Sequence, residues 1–398
     1  MELWKKNLWV CWFGVFATSS GLSQLIPILP LYIEEMGVHD VSEIAEWSGV
    51  AYGVTFILMA IFSPIWGKAA DRYGRKPMLL RASMGMALVL TCMGFVQNVY
   101  QLVGLRMLQG TISGYYAAAI TLVATQTPKD RSGWALGTLS TGAVAGTLMG
   151  PLIGGVVAEW LGLRSVFFVI GILLLLAFLA ALLFVSENFV PSETKAPKSL
   201  EVWRLLPHPE IMVAMFVTTL VLQLALMSIQ PILTVYITGL SSDKSYIALI
   251  SGLVFAASGM ASMIAAPRLG ALADRIGPPK VMAVALLAAG LLFIPQALVR
   301  NPWELMALRF LLGIATASLL PSINSMIRQI TPDQVIGRVY GYNQSAQFVG
   351  SFAGAVMGGQ IASSFGIHYV FFTTSVLLLF NAVWVYFLIC RKTAAKTG

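Results

Sequence analysis

Charged residues are scarce in this sequence. Only 11% of the 398 residues are Asp, Glu, Lys or Arg, whereas 58% are hydrophobic and the mean hydropathy is +0.81. A soluble globular domain carries about 25% charged residues, so the composition excludes a soluble domain of this length. Apolar runs of about 18 residues or more recur along the chain, and each can cross a hydrocarbon core of about 30 Å as a helix. The chain is therefore predicted to be a polytopic, all-α membrane protein.

Cysteine and histidine are equally scarce, with three of each in the chain. They are Cys11, Cys92, Cys390, His39, His208 and His368. None has Cys-x-x-Cys or metal-ligand spacing, so neither a metal nor another cofactor is expected. No Walker-type phosphate loop occurs, which argues against ATP hydrolysis within the chain. An enzyme or a sensor would need a catalytic cluster or an appended soluble domain, and neither is visible, so no enzymatic activity is predicted.

The formal net charge of +8 would suit nucleic-acid binding if the basic residues were clustered. They are scattered through short loops between apolar runs, so no nucleic-acid partner is expected. Of the 25 Lys and Arg residues, three fall in loops on one side of the membrane and two fall within predicted spans. These exceptions are Arg164, Lys244, Arg300, Arg106 and Arg309. The other 20 fall on the side that holds the two termini. The positive-inside rule predicts a cell (plasma) membrane protein with both termini in the cytoplasm.

Two short charged loops lie between apolar runs, half a chain apart. Gly67–Pro77 contains Asp71 and Gly270–Lys280 contains Asp274, an offset of 203 residues. The same offset, or one residue more, joins further pairs: Pro27 with Pro231, Arg106 with Arg309, Gly150 with Gly354, and Phe167 with Phe371. Parallel repeats of this kind are typical of membrane transporters. The sequence predicts twelve transmembrane helices in two pseudo-symmetric six-helix bundles, at residues 1–185 and 211–398, joined by a cytoplasmic linker at 186–210. Helices 1 to 12 are predicted, in order, at roughly 8–33, 46–66, 77–97, 100–126, 133–158, 165–185, 211–238, 246–268, 280–299, 303–328, 335–362 and 368–390.

Three motifs carry a family resemblance. They are Gly67-x3-Asp71-Arg72-x-Gly74-Arg75-Lys76, Leu102-x3-Arg106-x2-Gln109-Gly110 and Gly137-x8-Gly146-x3-Gly150-Pro151-x2-Gly154-Gly155. Together they resemble signatures of the major facilitator superfamily, and Pro27 and Pro30 ahead of Gly37 resemble the helix 1 signature of its twelve-span drug:proton antiporters. The resemblance covers essentially the whole chain. It implies the major facilitator fold and proton-driven export of amphipathic small molecules by alternating access. The implied partners are small-molecule substrates, protons and the lipid bilayer, and the protein is expected to be a monomer.

The resemblance assigns a conformational latch to the charged loops. Its residues are Asp71, Arg72, Gly74, Arg75, Asp274 and Arg275. A carboxylate at the end of helix 2 can cap the N-terminus of another helix, where free N–H groups favour an anion, and the family points to helix 11. Ala69 replaces the usual Leu of the first loop, and Pro278-Pro279 stand where the first loop has Arg75-Lys76, so the second loop is expected to be the weaker latch. Alternatively, the basic residues only follow the positive-inside rule.

The proton-coupling site is left open, because no Asp or Glu lies in the middle of a predicted span. The candidates are Arg106 in helix 4 and Glu34 and Glu35 at the outer end of helix 1. An arginine at the depth of Arg106 is costly unless it is paired or wetted, so it is expected to respond to a protonated carboxylate or to an anionic substrate group. The alternatives are that Arg106 snorkels to the outer headgroups and that the two glutamates are solvated loop charges.

The helix 5 motif has a packing interpretation. Its residues are Gly137, Gly146, Gly150, Pro151, Gly154 and Gly155. Four-residue spacing places three of the glycines on one helix face, where another helix can approach closely. The resemblance gives helix 8 as that helix, in a sliding interface, and Pro151 is expected to bend helix 5. The alternative is the generic packing of membrane helices.

Uncharged polar and aromatic side chains on the expected cavity-facing helices are the substrate-binding candidates. They are Gln24, Tyr32, Tyr52, Tyr115, Tyr116, Met227, Gln230, Tyr236, Phe255, Asn324, Asn343 and Gln347. Such groups suit varied amphipathic ligands; the alternative for each is a place facing lipid. The absence of buried acids fits neutral cargo equally well, so the alternative function is the export of one defined metabolite, such as a sugar or a glycolipid in the manner of a flippase.

Overall fold

The computed structural model describes residues 2–128, 131–187, 189, 203, 205–241, 246–332 and 335–387. Within these described residues, the first half contains eight helices. They are α1 (Leu3–Ser23), α2 (Leu25–Glu35), α3 (Val41–Tyr73), α4 (Arg75–Met93), α5 (Val99–Ile112), α6 (Tyr115–Gln126), α7 (Ser132–Leu161) and α8 (Leu163–Phe184). The described part of the chain contains no strand, so the predicted all-α architecture is confirmed.

The second half repeats this order of helices. They are α9 (Pro209–Ile229), a 3₁₀ turn (Gln230–Ile232), α10 (Leu233–Leu240), α11 (Ile247–Ile276), α12 (Pro278–Gln296), α13 (Pro302–Thr316), α14 (Leu319–Ile330), α15 (Ile336–Phe365) and α16 (Ile367–Val385). Much of the predicted linker at 186–210 lies outside the described residues.

Twelve helical segments result when α1 is joined with α2, α5 with α6, α9 with α10 and α13 with α14. Among the described residues, eight segments are long and apolar enough to cross a membrane, and the pair α1–α2 makes nine when it is counted as one span. The others, α4, α5–α6 and α15, carry basic or amide side chains within their apolar runs. All twelve segments nevertheless occupy the positions that the sequence predicts.

The broken segments are the first and fourth of each half. The α1–α2 pair bends by 42° at Gln24, three residues before Pro27, whose ring removes one backbone hydrogen bond of the helix. Pro231 lies in the corresponding 3₁₀ turn of the second half. Between α5 and α6, Gly114 has φ +125°, a backbone conformation that glycine adopts without strain. Proline or glycine thus accompanies three of these four breaks, and the fourth, between α13 and α14, falls at Ala317 and Ser318.

The chain divides into two compact units. Unit 1 comprises Met1–Asp40, Val50–Glu193 and Asp243–Ala256, and unit 2 comprises Val41–Gly49, Thr194–Ser242 and Ala257–Gly398. In unit 1, α1 packs against α7 and α4 packs against α8; in unit 2, α9 packs against α15 and α12 packs against α16. The same pairs of helices are therefore the main internal contacts of both units.

Two tyrosines make equivalent hydrogen bonds inside their units. The Tyr32 hydroxyl donates to the carbonyl oxygen of Met93 at 2.7 Å in unit 1. The Tyr236 hydroxyl donates to the carbonyl oxygen of Gln296 at 3.0 Å in unit 2. Both rings are buried, so these predicted substrate ligands use their hydroxyls to hold the C-terminal end of α4 or α12.

Candidate functional site

The largest fully buried side chain belongs to Arg106 in α5, which is 1% exposed. Its Nε donates to the carbonyl oxygen of Ala51 at 2.9 Å and its Nη2 to that of Tyr52 at 3.4 Å, both in α3. Its Nη1 donates to Oε1 of Gln109 at 2.5 Å, and the Tyr52 ring centre lies 5.5 Å from the guanidinium carbon. Carbonyl and amide oxygens and an aromatic ring surround the charge, rather than a carboxylate.

Arg106 reaches these carbonyls because α3 and α5 approach closely. A Cβ on Gly110 would contact the Thr55 carbonyl oxygen and lie 2.8 Å from Cβ of Leu58. The Thr55 hydroxyl also donates to the carbonyl oxygen of Arg106 at 3.0 Å. Arg106 and Gly110 of this motif therefore form one interface with α3, and Gln109 supplies a further acceptor to the guanidinium.

The first charged loop forms an internal ion pair. Arg75 Nη2 lies 2.5 Å from Asp71 Oδ1, one helical turn away along the chain. Gly74 lies between α3 and α4 with φ +95°, and the Arg72 guanidinium carbon lies 5.3 Å from the Tyr73 ring centre. In the second loop Arg275 is exposed in the last turn of α11, and the side chain of Asp274 lies outside the described part of the structure.

A carboxylate that the sequence interpretation missed caps α4. The backbone N–H of Arg75 donates to both carboxylate oxygens of Glu187 at 2.8 Å, and the N–H of Lys76 donates to Glu187 Oε2 at 2.7 Å. A carboxylate at this position satisfies free N–H groups and complements the helix dipole. The equivalent helix α12 begins with Pro278-Pro279, which have no N–H groups to satisfy. This difference gives a physical reason why the helix after the first charged loop is capped by a carboxylate and the helix after the second loop begins with proline.

The glycine face of α7, the predicted helix 5, packs against α1 at three glycines, whereas the expected partner, the predicted helix 8 (α11), lies against Gly155 and Pro151. A Cβ on Gly150 would lie 2.8 Å from the Ser20 carbonyl oxygen, and one on Gly154 would lie 3.0 Å from that of Gln24. Gly146 likewise lies against Phe16. Gly155 lies against α11, where its Cβ would lie 2.7 Å from the Ala248 carbonyl oxygen.

The remaining members of the helix 5 motif have different surroundings. Gly137 has open space around its Cα, so packing does not require a glycine there. Pro151 lies inside α7, which continues as one helix through it, and its carbonyl oxygen lies against Gly252 of α11. The Pro151–Gly155 turn of the motif therefore lies against α11.

The predicted acidic coupling residues lie at the end of α2. Glu35 Oε1 accepts a hydrogen bond from Arg164 Nε at 3.0 Å, with the two side chains 39% and 42% exposed. Glu34 is exposed. Neither carboxylate is brought to Arg106, whose polar contacts are all with α3 and α5. The expected direct pairing of Arg106 with a carboxylate is therefore absent from the described residues.

The predicted substrate residues of unit 1 separate into buried and accessible groups. Tyr52 and Tyr115 are buried, and Gln24 is fully buried at the α1–α2 break with no partner for its side-chain amide. Tyr116 is 39% exposed, and its hydroxyl lies 3.5 Å from the Ser140 hydroxyl. Tyr116 is thus the clearest candidate for ligand contact in this group.

Trp12, which the sequence interpretation missed, is a further partly exposed aromatic residue of unit 1. Its ring stacks on Phe16 with centroids 5.8 Å apart, and its Nε1 donates to the Thr141 hydroxyl at 2.9 Å. Both rings are partly exposed. The four-residue spacing of Trp12 and Phe16 places both rings on one side of α1, and this spacing is the sequence signal that could have identified them. We call Trp12, Phe16, Tyr116, Ser140 and Thr141 the aromatic face.

The predicted polar residues of α14 and α15 do come together in unit 2. Asn343 Nδ2 lies 3.5 Å from Asn324 Oδ1, and the Tyr340 hydroxyl donates to the Asn324 carbonyl oxygen at 3.0 Å. Gln344 Nε2 lies 3.5 Å from Gln347 Oε1, one turn further along α15. We call these five residues the amide face. Met227, Gln230 and Phe255, predicted with them, are partly buried.

Comparisons with known proteins agree with this architecture. A family model described as Major Facilitator Superfamily matches residues 11–262 and 215–397. The chain is 46% identical over 387 residues to the Multidrug resistance protein MdtG of Proteus mirabilis, covering 96% of each chain. It is 46% identical over 393 residues to MdtG of Salmonella typhimurium, covering 98% of this chain and 97% of that protein.

Two crystal structures share the fold at low sequence identity. A bacterial homolog of the human lysosomal transporter Spinster, inward-facing and occupied, superposes with a TM-score of 0.80 at 15% identity over 97% of both chains. The human organic anion transporter MFSD10 superposes with a TM-score of 0.71 at 16% identity, over 97% of this chain and 100% of that one.

Replacing Gln109 with Leu should destabilise unit 1. Arg106 Nη1 would lose its acceptor in a buried site, and loss of a hydrogen bond to a charged group costs about 1.5–3 kcal/mol. The measurement is the unfolding midpoint of the purified protein in detergent. Gln360→Leu, the same exchange at an exposed position of α15, is the control, and equal midpoints for the two variants would contradict the role of Gln109.

Replacing Glu187 with Ala should loosen the first turn of α4. The N–H groups of Arg75 and Lys76 would lose their cap, so their hydrogen–deuterium exchange should accelerate by about tenfold or more. Mass spectrometry of peptides covering residues 74–80 measures this rate. The start of α12, which proline begins, is the internal control. Unchanged exchange at α4 would show that Glu187 is not the cap in solution.

Proposed function

The chain belongs to the major facilitator superfamily, and from this membership we propose that it exports varied amphipathic small molecules in exchange for protons. It is a membrane transporter of small molecules rather than an enzyme, and the family resemblance predicted from its motifs is confirmed. The observation that carries the proposal is the 46% identity, over 96% of both chains, to a protein named for multidrug resistance. Multidrug efflux is accordingly the function assigned to this chain.

The two polar faces support broad substrate selection. The aromatic face of unit 1 offers Trp12 and Phe16 stacked beside hydroxyl groups, and the amide face of unit 2 offers side chains that both donate and accept hydrogen bonds. Neither face contains a charged residue. Aromatic surfaces with a few uncharged polar groups accept ligands of different shapes, since no fixed charge has to be matched.

Proton coupling is proposed to act through carboxylates held by arginines at the helix ends. Asp71 pairs with Arg75, and Glu35 pairs with Arg164. Protonation of either acid would release its arginine, so each pair can change partners during a transport cycle. We propose Asp71 as the latch carboxylate and Glu35, with Glu34 beside it, as the acid that takes up the proton on the outer side.

The remaining assignments concern the oligomeric state of the protein, its membrane and its orientation in that membrane. We propose that the protein is a monomer in the cell membrane with both termini in the cytoplasm. The basic residues support this orientation, because 20 of the 25 fall on the side of the termini and cytoplasmic loops are enriched in Lys and Arg. Ser186 also lies beside Asn7, to whose Oδ1 its N–H donates at 3.1 Å, so the start of the predicted linker lies at the same end of unit 1 as the N-terminus.

Cells that express the protein should retain less ethidium than cells carrying an empty vector. An uncoupler should raise retention to the level of the vector control, because the proton gradient drives export. Ethidium fluorescence follows both effects. Efflux that continues with the uncoupler would contradict proton coupling. Transport restricted to a neutral sugar or a fluorescent lipid in the same panel would instead favour a single-metabolite exporter.

Asp71→Asn should be expressed at the normal level and yet fail to confer drug tolerance. Asparagine keeps the shape of the side chain but cannot hold Arg75 by charge or be protonated. Growth in the presence of ethidium, with membrane content measured by immunoblot, tests the variant. Glu159→Gln, a loss of charge at the other end of unit 1, is the control. Full tolerance with Asp71→Asn would remove the latch assignment.

A further inference from the structure

The break between α5 and α6 leaves backbone carbonyl groups without helical partners. Ser113 follows α5 with ψ 168°, and Gly114 comes next with φ +125°, so the hydrogen-bond ladder of the helix stops inside unit 1. The freed carbonyl oxygens of an interrupted membrane helix need donors from elsewhere in the protein. Two side chains from neighbouring helices supply such donors.

Trp66 of α3 and Arg81 of α4 both donate to this break. Trp66 Nε1 donates to the carbonyl oxygen of Thr111 at 2.6 Å, and Arg81 Nη2 donates to that of Ser113 at 3.1 Å. The two side chains also contact each other, because the guanidinium carbon lies 3.6 Å from the centre of the Trp66 ring. A cation at the C-terminal end of a helix complements the helix dipole as well. We call Trp66 and Arg81 the clamp.

Arg81 is costly at this position unless its charge is compensated. It lies about 9 Å from the start of α4, at 1.5 Å per residue, and an arginine within a membrane bundle is unfavourable without partners. Its Nε and Nη1 atoms are buried and have no hydrogen-bond partner among the described residues. The face of the Trp66 ring and the Ser113 carbonyl oxygen supply the compensation that the guanidinium has. The arginine therefore depends on the break as the break depends on the arginine.

Unit 2 repeats these helices with apolar residues at the positions of the clamp. At the repeat offset of 203 residues, these positions hold Leu269 and Val284. The corresponding break between α13 and α14 is shallow, because Ala317 has φ −56° and ψ −32° and Ser318 has φ −90° and ψ −12°, which are close to helical values. The copy with the sharp break thus has the clamp, and the copy with apolar residues in its place has an almost continuous helix.

The break determines the direction of α6 and therefore the position of Tyr116. Tyr116 is the second residue of α6, and its hydroxyl lies 3.5 Å from that of Ser140 on the aromatic face. Gly114, two residues before it, can adopt many backbone conformations. The angle at the break is therefore set by the groups that hold it rather than by the glycine itself.

We propose that Trp66 and Arg81 are positioning residues, which fix the α5–α6 break and thereby hold Tyr116 where it contacts the exported molecule. This assignment rests on the proposed export function and on the aromatic face as a binding surface. The clamp acts through the backbone of α5, and the affinity for the ligand depends on it through Tyr116.

Hydrogen–deuterium exchange of the full-length protein in nanodiscs tests whether the clamp holds the break. Arg81→Met keeps a long side chain without donors, so the N–H groups of Ser113 and Ala118, which flank the break, should exchange about tenfold faster than in wild type. Trp66→Phe keeps a ring and loses the donor, so it should give a smaller increase. Trp160→Phe, at an 81% exposed position of α7, is the control. Unchanged exchange in Arg81→Met would overturn the proposal.

Ethidium binding to the same purified variants, followed by its fluorescence, tests the connection to Tyr116. Arg81→Met should raise the Kd by about threefold to tenfold, because the ring is no longer held on the aromatic face. Arg81→Lys should give an intermediate Kd, since lysine keeps the charge but not the planar group that stacks on Trp66. Arg268→Met, at an exposed position of α11, is the control for the loss of an arginine and should bind as wild type does.

A double-mutant cycle distinguishes positioning from a general loss of stability. Tyr116→Ala removes the ring, so the addition of Arg81→Met should cause no further loss of ethidium affinity if Arg81 acts through Tyr116. Losses that multiply in the double variant would overturn the positioning role. If the unfolding midpoint shows that Arg81→Met is not folded, Trp66→Phe takes its place in the cycle.

Efflux is measured separately, so that failure of the export function can be recognised. If cells expressing the wild-type protein show no ethidium efflux, the export function fails, whereas the exchange rates and the binding cycle still decide the role of the clamp. Faster exchange in Arg81→Met together with unchanged ethidium affinity would overturn the positioning of Tyr116, even where wild-type efflux is normal.

Discussion

The burial of a guanidinium group in an apolar bundle is the constraint on which the packing of unit 1 depends. Arg106 cannot lose its charge and cannot reach water, so acceptors must be brought to it. Its Nε and Nη2 take two carbonyl oxygens of α3, and this requires α3 and α5 to approach as closely as Gly110 permits. The motif therefore links the arginine, its amide partner and the glycine by one physical requirement.

Unit 2 keeps the scaffold and changes the chemistry. Arg309 and Gly313 occupy the same positions as Arg106 and Gly110, but Leu312 replaces the amide acceptor. The helices that follow the charged loops also begin differently. In unit 1 Glu187 caps the N–H groups at the start of α4. In unit 2 Pro278 at the start of α12 leaves fewer N–H groups to cap. The second copy thus needs no cap for the proline N atoms at the start of α12, but among the described residues it leaves Nε and Nη2 of Arg309 without a hydrogen-bond partner.

Sequence alone could predict the features that depend on residues close together along the chain. Apolar length and the repeat offset predict the helices and the two copies. Contacts between segments that are distant along the chain could not be predicted from the sequence. Nothing in the linker composition signals that Glu187 caps α4, and nothing in the spacing of Gly146 and Gly150 shows that α1, rather than α11, lies against them. The sequence also does not show that the Tyr32 hydroxyl donates to the carbonyl oxygen of Met93, 61 residues away.

The charges and the uncharged polar groups of the molecule occupy different places, and this separation has a functional meaning. The ion pairs of Asp71 and Glu35 lie at helix ends with part of each side chain exposed, where a proton can arrive from water. The aromatic and amide faces carry no charge, so a ligand there needs no specific countercharge. Under the proposed proton-coupled export, protonation at the helix ends would change which helix ends are held together without altering the aromatic face or the amide face. On this basis broad selection and coupling to protons are compatible within one chain, because they depend on different interactions in different parts of each unit.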